Sequence, residues 1–180
     1  MPSPPFGIQK GDSKNEIKVG EEISRFLFAV TDIPKPHSDF PKVFAIITPL
    51  QGASRITALG RIIQTDKKGL SFIYLFNRLI EQLSNKYGKP LRKNDNWTKC
   101  LSSNTLPSNH MIDLSRLKLS ADWVQVKRKK IKILLPNDLQ SIQLSFCAEN
   151  ALQGSFILNY VYDNYELAIQ EIKNADTDAL

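Results

Sequence analysis

At 180 residues and 42% hydrophobic, the chain is long enough to bury a core without metal or disulfide support, and its nine Phe and five Tyr exclude the aromatic-poor composition of a disordered protein. The net charge of +6 favours the approach of a polyanion without naming one. Two cysteines, Cys100 and Cys147, allow one bridge or a reduced, buried pair and exclude a cysteine metal cluster, and no apolar run approaches the ~20 residues that span a bilayer.

Residues 1–22 are rich in Pro, Gly and charge, with only Phe6, Ile8, Ile17 and Val19 available to pack, which predicts a tethered arm with one helical turn. Residues 24–31 (SRFLFAVT) are aromatic and β-branched and end at Asp32-Ile33-Pro34-Lys35-Pro36, where proline fixes extended backbone and removes donors, so a strand and then a loop are expected. Residues 42–48 (KVFAIIT) and 54–63 (SRITALGRII) flank Pro49-Leu50-Gln51-Gly52, whose Pro and Gly supply the angles of a tight connection, predicting a hairpin. A helix follows over 69–87: Leu70, Ile73, Phe76 or Asn77, Ile80, and Leu83 or Tyr87 repeat at the spacing of one buried face, and Gly88 suits the residue after the last turn.

Residues 91–109 read as a polar surface excursion or as the join between two halves. Over 110–123, Met111, Leu114, Leu117 or Lys118, and Ala121 or Val124 fit a helical stripe, with the polar start of a strand over 124–130. Strands are expected at 130–135 (KIKILL), 141–148 (SIQLSFCA) and 155–162 (SFILNYVY), separated by turns at Pro136-Asn137-Asp138 and at residues 150–154. In the middle strand Ile142, Leu144, Phe146 and Ala148 point one way and Ser141, Gln143, Ser145 and Cys147 the other, as in an antiparallel sheet with one core face. Residues 165–173 (YELAIQEIK), capped by Asp163 or Asn164, form a short last helix. The expected fold class is therefore α+β, an antiparallel sheet of two three-stranded units with helices packed on one face and a βββα pseudo-repeat. Residues 1–22 stand as the arm and residues 23–180 as one domain, with halves at 23–90 and 110–180.

Templates for chemistry come up empty. The bases available to a nucleophile are His37, in a rigid Pro-Lys-Pro-His segment, and His110, and neither is accompanied by a nucleophile elbow or a reactive cysteine context, so both read as structural. Glu21, Glu22, Asp163, Glu166, Glu171, Asp176 and Asp178 read as caps and solvated faces rather than a catalytic pair. Short metal-ligand spacings, a phosphate loop and a dinucleotide fingerprint are all missing, so no catalytic residue, cofactor or metal is assigned.

The densest basic run, Lys127, Arg128, Lys129 and Lys130 with Lys132 beyond, reads either as a strand edge protected by lysine or as a patch for an acidic partner or membrane surface. Trp123 follows an apolar stripe and reads as core, whereas Trp97, in Asn94-Asp95-Asn96-Trp97-Thr98, is open between packing and recognition.

Taken together, Pro5-Phe6-Gly7-Ile8, Ile33-Pro34-Lys35-Pro36-His37 with Phe40, Thr48-Pro49 with Gly52, Ile56-Thr57-Ala58-Leu59-Gly60, Lys86-Tyr87-Gly88-Lys89-Pro90 and the closing Leu158-Asn159-Tyr160-Val161-Tyr162-Asp163-Asn164 resemble a group of small uncharacterised bacterial proteins. The group generally carries an export leader before the Pro-Phe-Gly segment, so the resemblance implies a mature periplasmic protein, with the cytoplasm as the alternative. The start of this chain itself has neither the charged nor the apolar region of a leader. Such proteins often have Cys in the third strand where this chain has Ser54, so a shared disulfide scheme does not carry over, and no catalytic residues come with the group.

The expected function is that of a non-enzymatic accessory or binding protein, of immunity or envelope type, acting on another protein through a sheet face or edge, with Lys127, Arg128, Lys129, Lys130, Lys132 and Trp97 as contact residues. The alternative is a pocket protein for a small acidic or lipid-like ligand, or an enzyme acting on one, with the cations of 127–132 meeting its charge. Nucleic acid ranks last among the partner classes.

Overall fold

The computed structural model describes residues 2–102, 112–128 and 131–178. In chain order the elements are β1 (Val19–Ser24), β2 (Leu27–Val30), β3 (Lys42–Thr48), β4 (Gly52–Leu59), β5 (Ile63–Gln64), α1 (Leu70–Tyr87), β6 (Arg92–Asp95), α2 (Trp97–Ser102), β7 (Leu119–Val124), β8 (Val126–Arg128), β9 (Ile131–Ile133), β10 (Leu139–Ala148), β11 (Gln153–Tyr162) and α3 (Tyr165–Thr177). The class is α+β, with a nine-stranded antiparallel sheet in the order β1-β2-β3-β4-β11-β10-β7-β6, and β5 paired to β11. The second set of three strands does not repeat the first, because β9 pairs with β8 in a separate two-stranded sheet. By contacts the chain divides into two compact units whose pieces alternate along the sequence.

The first unit comprises Met1–Leu59, Val124–Ile142 and Asn159–Leu180. Val43, Ala45 and Ile47 of β3 and Ala53, Ile56 and Ala58 of β4 are buried, and the register pairs Val43 with Ala58 and Ala45 with Ile56 before shifting at Ile46/Ile47. Each large side chain of this kind fully withdrawn from water contributes about 1.5–3 kcal/mol before the entropy of ordering it is subtracted. Residues 2–18 are more than a tether: Ile8 and Ile17 are buried, and the Tyr162 hydroxyl donates to the Ile8 carbonyl at 2.5 Å. Pro5–Gly7 make one 3₁₀ turn, and a Cβ on Gly7 (φ 79°) would lie 2.8 Å from Pro34 Cβ, so this turn seats closely against the Pro34-Lys35 loop. Asn164 opens α3, but its side chain does not cap the helix as expected; its Nδ2 donates to the carbonyls of Gln51 (2.9 Å) and Ala53 (3.3 Å). Glu171 Oε1 accepts from the Leu50 amide at 2.8 Å, so the helix is tied to the hairpin turn at two places.

The second unit comprises Gly60–Trp123 and Gln143–Leu158. The buried stripe of α1 is Phe72, Phe76, Leu79, Leu83 and Tyr87, so the helix is turned from the expected face and Leu70 is exposed. Aromatic packing sets this rotation: Phe72 meets Phe146 edge-on at 5.0 Å, Phe76 stacks on Phe156 at 5.9 Å, and Phe146 meets Phe156 at 5.6 Å.

Asp66 caps α1 from outside, accepting from the amides of Lys68 (2.9 Å), Leu70 (3.0 Å) and Ser71 (2.8 Å). Burial opposes its charge, but the hydrogen bonds from Ser71, Leu70 and Lys68 together outweigh that and hold the carboxyl below its ordinary value. Asp66→Ala is expected to cost about 1 kcal/mol near neutral pH. A folded-state value below the unfolded one gives stability that is present above the ordinary carboxylate range and is lost as pH falls through the folded value. The gap between wild type and variant in urea melts should therefore shrink as pH is lowered toward about 3, and a gap independent of pH contradicts the assignment.

Residues 112–124 correct the expected helix. Leu114–Arg116 make a single 3₁₀ turn, capped by Asp113 accepting from the Ser115 amide, and β7 follows with Leu119, Ala121 and Trp123 buried in alternation. The apolar residues of this stretch fit both periods, and pairing with β6 selects the two-residue one. The excursion expected over 91–109 likewise contains β6, paired from Arg92↔Asp122 to Asp95↔Leu119, and α2; residues 103–109, with His110, lie outside the described residues.

Candidate functional site

Hairpin β8–β9 belongs to the first unit and pairs Val126 with Ile133, Lys127 with Lys132 and Arg128 with Ile131. Lys127 is exposed; Lys129 and Lys130 lie outside the described residues. Residues 124–137 hold five cations and no carboxylate, and the register sets one lysine position directly opposite another, an arrangement that destabilises an isolated ladder. The first unit has thirteen Lys and Arg against twelve Asp and Glu, so without these five cations it carries eight against twelve. The hairpin is thus a basic island in the sequence of an otherwise acidic unit.

Trp97 belongs to the second unit, at the start of α2. Its side chain is half-buried, its amide donates to Asp95 Oδ1 at 3.0 Å and its indole Nε1 donates to the Lys68 carbonyl at 2.9 Å. Trp123 is core, and its indole Nε1 donates to the Gly88 carbonyl at 2.7 Å. His37 Nδ1 accepts from the Asp39 amide at 3.1 Å and its ring lies tilted on Phe40 at 5.7 Å, so its contacts are those of a local turn. Cys100 and Cys147 are free thiols, Cys100 half-buried and Cys147 exposed, so they are neither bridged nor a buried pair. Among the described residues no three His, Cys, Asp or Glu side chains are grouped to hold a metal ion, and no helix is long and apolar enough to cross a membrane.

One feature of the first unit is assembled from segments far apart in the sequence. A cleft of about 530 Å³ is lined by Pro4, Leu135 and Pro136 on its apolar side and by Lys10, Asn137 and Asp138 among its polar groups, within the size range of small-molecule sites. Lys10 Nζ lies 3.1 Å from both Asp138 Oδ2 and Asp163 Oδ1. Hydrogen bonds to Asp138 and then Asp163 raise the Lys10 pKa. Asn137 and Asp138 both have positive φ (58° and 57°), a conformation these two residue types tolerate best, and Asn137 Nδ2 donates to the Pro2 carbonyl at 3.1 Å. The only signal for the cleft was the Pro-Asn-Asp turn itself, since its other wall comes from residues more than a hundred positions away.

Comparison with family models, with curated proteins and with solved structures returns no match.

Proposed function

We propose that this chain is a non-enzymatic binding protein of accessory type that takes an acidic protein partner through hairpin β8–β9. The observation that supports the reading is the run of five cations in the sequence of 127–132, with Lys127, Arg128 and Lys132 on a two-stranded sheet outside the main hydrogen-bonded path, in a unit whose remaining residues are net acidic. Carboxylates facing the hairpin relieve the cation–cation repulsion that its register imposes, and charge of this kind steers encounter and selects partners.

Titration of the intact protein with polyglutamate tests the reading. Affinity is expected to fall steeply with salt, and Lys127→Glu with Lys132→Glu should weaken binding about tenfold or more while leaving the melting temperature within a few degrees. Undiminished polyglutamate binding by the double variant rejects the hairpin as the contact.

The cleft beside Lys10 favours a second reading, a small-ligand pocket. Two carboxylates against one ammonium there oppose an anionic ligand, so neutral or cationic metabolites are the class to screen. A ligand that binds only the folded state raises the melting temperature by mass action, and a flat thermal-shift response across such a panel removes this reading.

A further inference from the structure

We infer that the first unit carries a small-molecule site on the second face of its sheet, where Arg55 and Asn159 offer two donors to the carboxylate of an apolar monocarboxylic acid. Alternation defines that face. Val43 and Ala45 of β3 and Ile56 and Ala58 of β4 are buried, so Phe44, Ile46, Arg55 and Thr57 point to the other side, all four half-buried. The register sets Ile46 directly opposite Arg55, Leu27 opposite Ile46 and Phe44 opposite Thr57, so the guanidinium belongs to an apolar row. An arginine so placed is ordinarily paired with a carboxylate. Arg55 is not: β2, β3 and β4 contain no acidic residue, and among the described residues none forms an ion pair with it.

Among the described residues the guanidinium makes one hydrogen bond, from Nη2 to Asn159 Oδ1 at 3.0 Å, and its Nε is buried without a partner. A guanidinium only donates, so the Asn159 atom that faces it is the oxygen, which also accepts from the Thr57 hydroxyl at 2.8 Å. Those two bonds fix the amide and turn its Nδ2 outward. Arg55 Nη1 and Asn159 Nδ2 have no protein acceptor and, unlike Nε, are not buried, so two donors on side chains already joined to each other reach solvent. The donor count sets the ligand class. Two donors and one positive charge match the two oxygens and single charge of a carboxylate. A phosphate brings a second charge, and the other cation of these strands, Lys42, lies four residues from Ile46 along β3, about 13 Å away. Phe44, Ile46 and Leu27 receive the apolar body of the acid. The site shares no residue with hairpin β8–β9 or with the cleft beside Lys10.

The test titrates the intact ¹⁵N-labelled protein with octanoate, acetate, octanamide and octyl phosphate. Octanoate should shift the amides over 44–46 and 55–57 and the Arg55 Nε–H signal. It should bind about tenfold or more tightly than acetate, which lacks the body, and than octanamide, which lacks the charge. Arg55→Met keeps the apolar stem and leaves Asn159 Oδ1 bonded to Thr57. It should weaken octanoate about tenfold or more with the melting temperature unchanged or raised, because it removes an unpaired half-buried charge. Arg55→Lys, which keeps the charge without the fork, should fall between wild type and Arg55→Met. Lys127→Glu with Lys132→Glu should leave octanoate binding unchanged, so this site and the hairpin stand or fall separately. Equal affinity for octanoate and octanamide, shifts confined to 126–133, or undiminished binding by Arg55→Met overturns the proposal. A tighter fit of octyl phosphate at the same amides overturns the carboxylate assignment.

Discussion

Alanine at position 52 is expected to lower the melting temperature by roughly 10 °C, more than at any other glycine of the hairpin region. Gly52 opens β4 with φ at 62°, a region where a side chain alone costs about 1 kcal/mol. The larger effect is steric. A Cβ there would lie 2.1 Å from the Gly11 carbonyl oxygen, 2.4 Å from its carbon and 2.8 Å from its Cα, and these are backbone atoms that cannot rotate away. Relief requires moving residues 11–12 off the start of β4, which breaks the bonds from the Gly11 amide to the Ala53 carbonyl (2.9 Å) and from the Ala53 amide to the Asp12 carbonyl (2.8 Å). At about 1 kcal/mol for each bond the total reaches roughly 3 kcal/mol, and a chain of this size loses about 2–4 °C for each. Gly88→Ala is the control: its φ is 81° but nothing lies within 4 Å of the added carbon, so only backbone strain acts. Calorimetry of both variants decides, and a smaller loss at Gly52 than at Gly88 rejects the close approach to Gly11.

The elements that the sequence announces are those whose own side chains carry the periodic signal. Strand β3 was legible to the residue because its buried positions alternate and Pro49 closes it, and α1 was legible because its apolar face is long and Gly88 ends it. Strands β1 and β6 were missed for the converse reason: β1 is exposed at five of its six positions and β6 at all four, so neither has an apolar side, and each is a strand only because a neighbour pairs with it. Residues 112–124 failed differently, since Leu117, Leu119, Ala121 and Trp123 satisfy the two-residue period while Leu114, Leu117 and Ala121 satisfy the helical one. The rotation of α1 that exposes Leu70 depends on Phe146 and Phe156, some seventy and more residues away, and no local pattern encodes it. Among the candidate sites the basic hairpin is legible as charge, whereas the cleft requires Pro4 and Lys10 to meet residues 135–138, which is tertiary information.

The largest single-residue loss is expected at Trp123. Its side chain is 1% exposed, and truncating a tryptophan in such a place costs about 3–5 kcal/mol through lost burial and the cavity left behind. Trp123→Ala also removes the donor to the Gly88 carbonyl, the bond that holds the end of α1 to β7. Trp123→Phe separates these contributions, because it keeps most of the ring volume and loses the N–H. The Gly88 residue is exposed, so water can replace the donor, and the Phe variant should lose about 1 kcal/mol beyond its packing change. Hydrogen exchange gives the local reading. The Gly88 amide, bonded to the Ser84 carbonyl at 2.9 Å, should exchange faster in Trp123→Phe while amides at the centre of α1 keep their protection; in Trp123→Ala the whole helix should exchange faster in step with the global loss. If the Phe variant loses as much stability as the Ala variant and the Gly88 amide is no more affected than the middle of the helix, then the shape of the indole in the core, rather than its bond to the helix end, fixes this part of the unit.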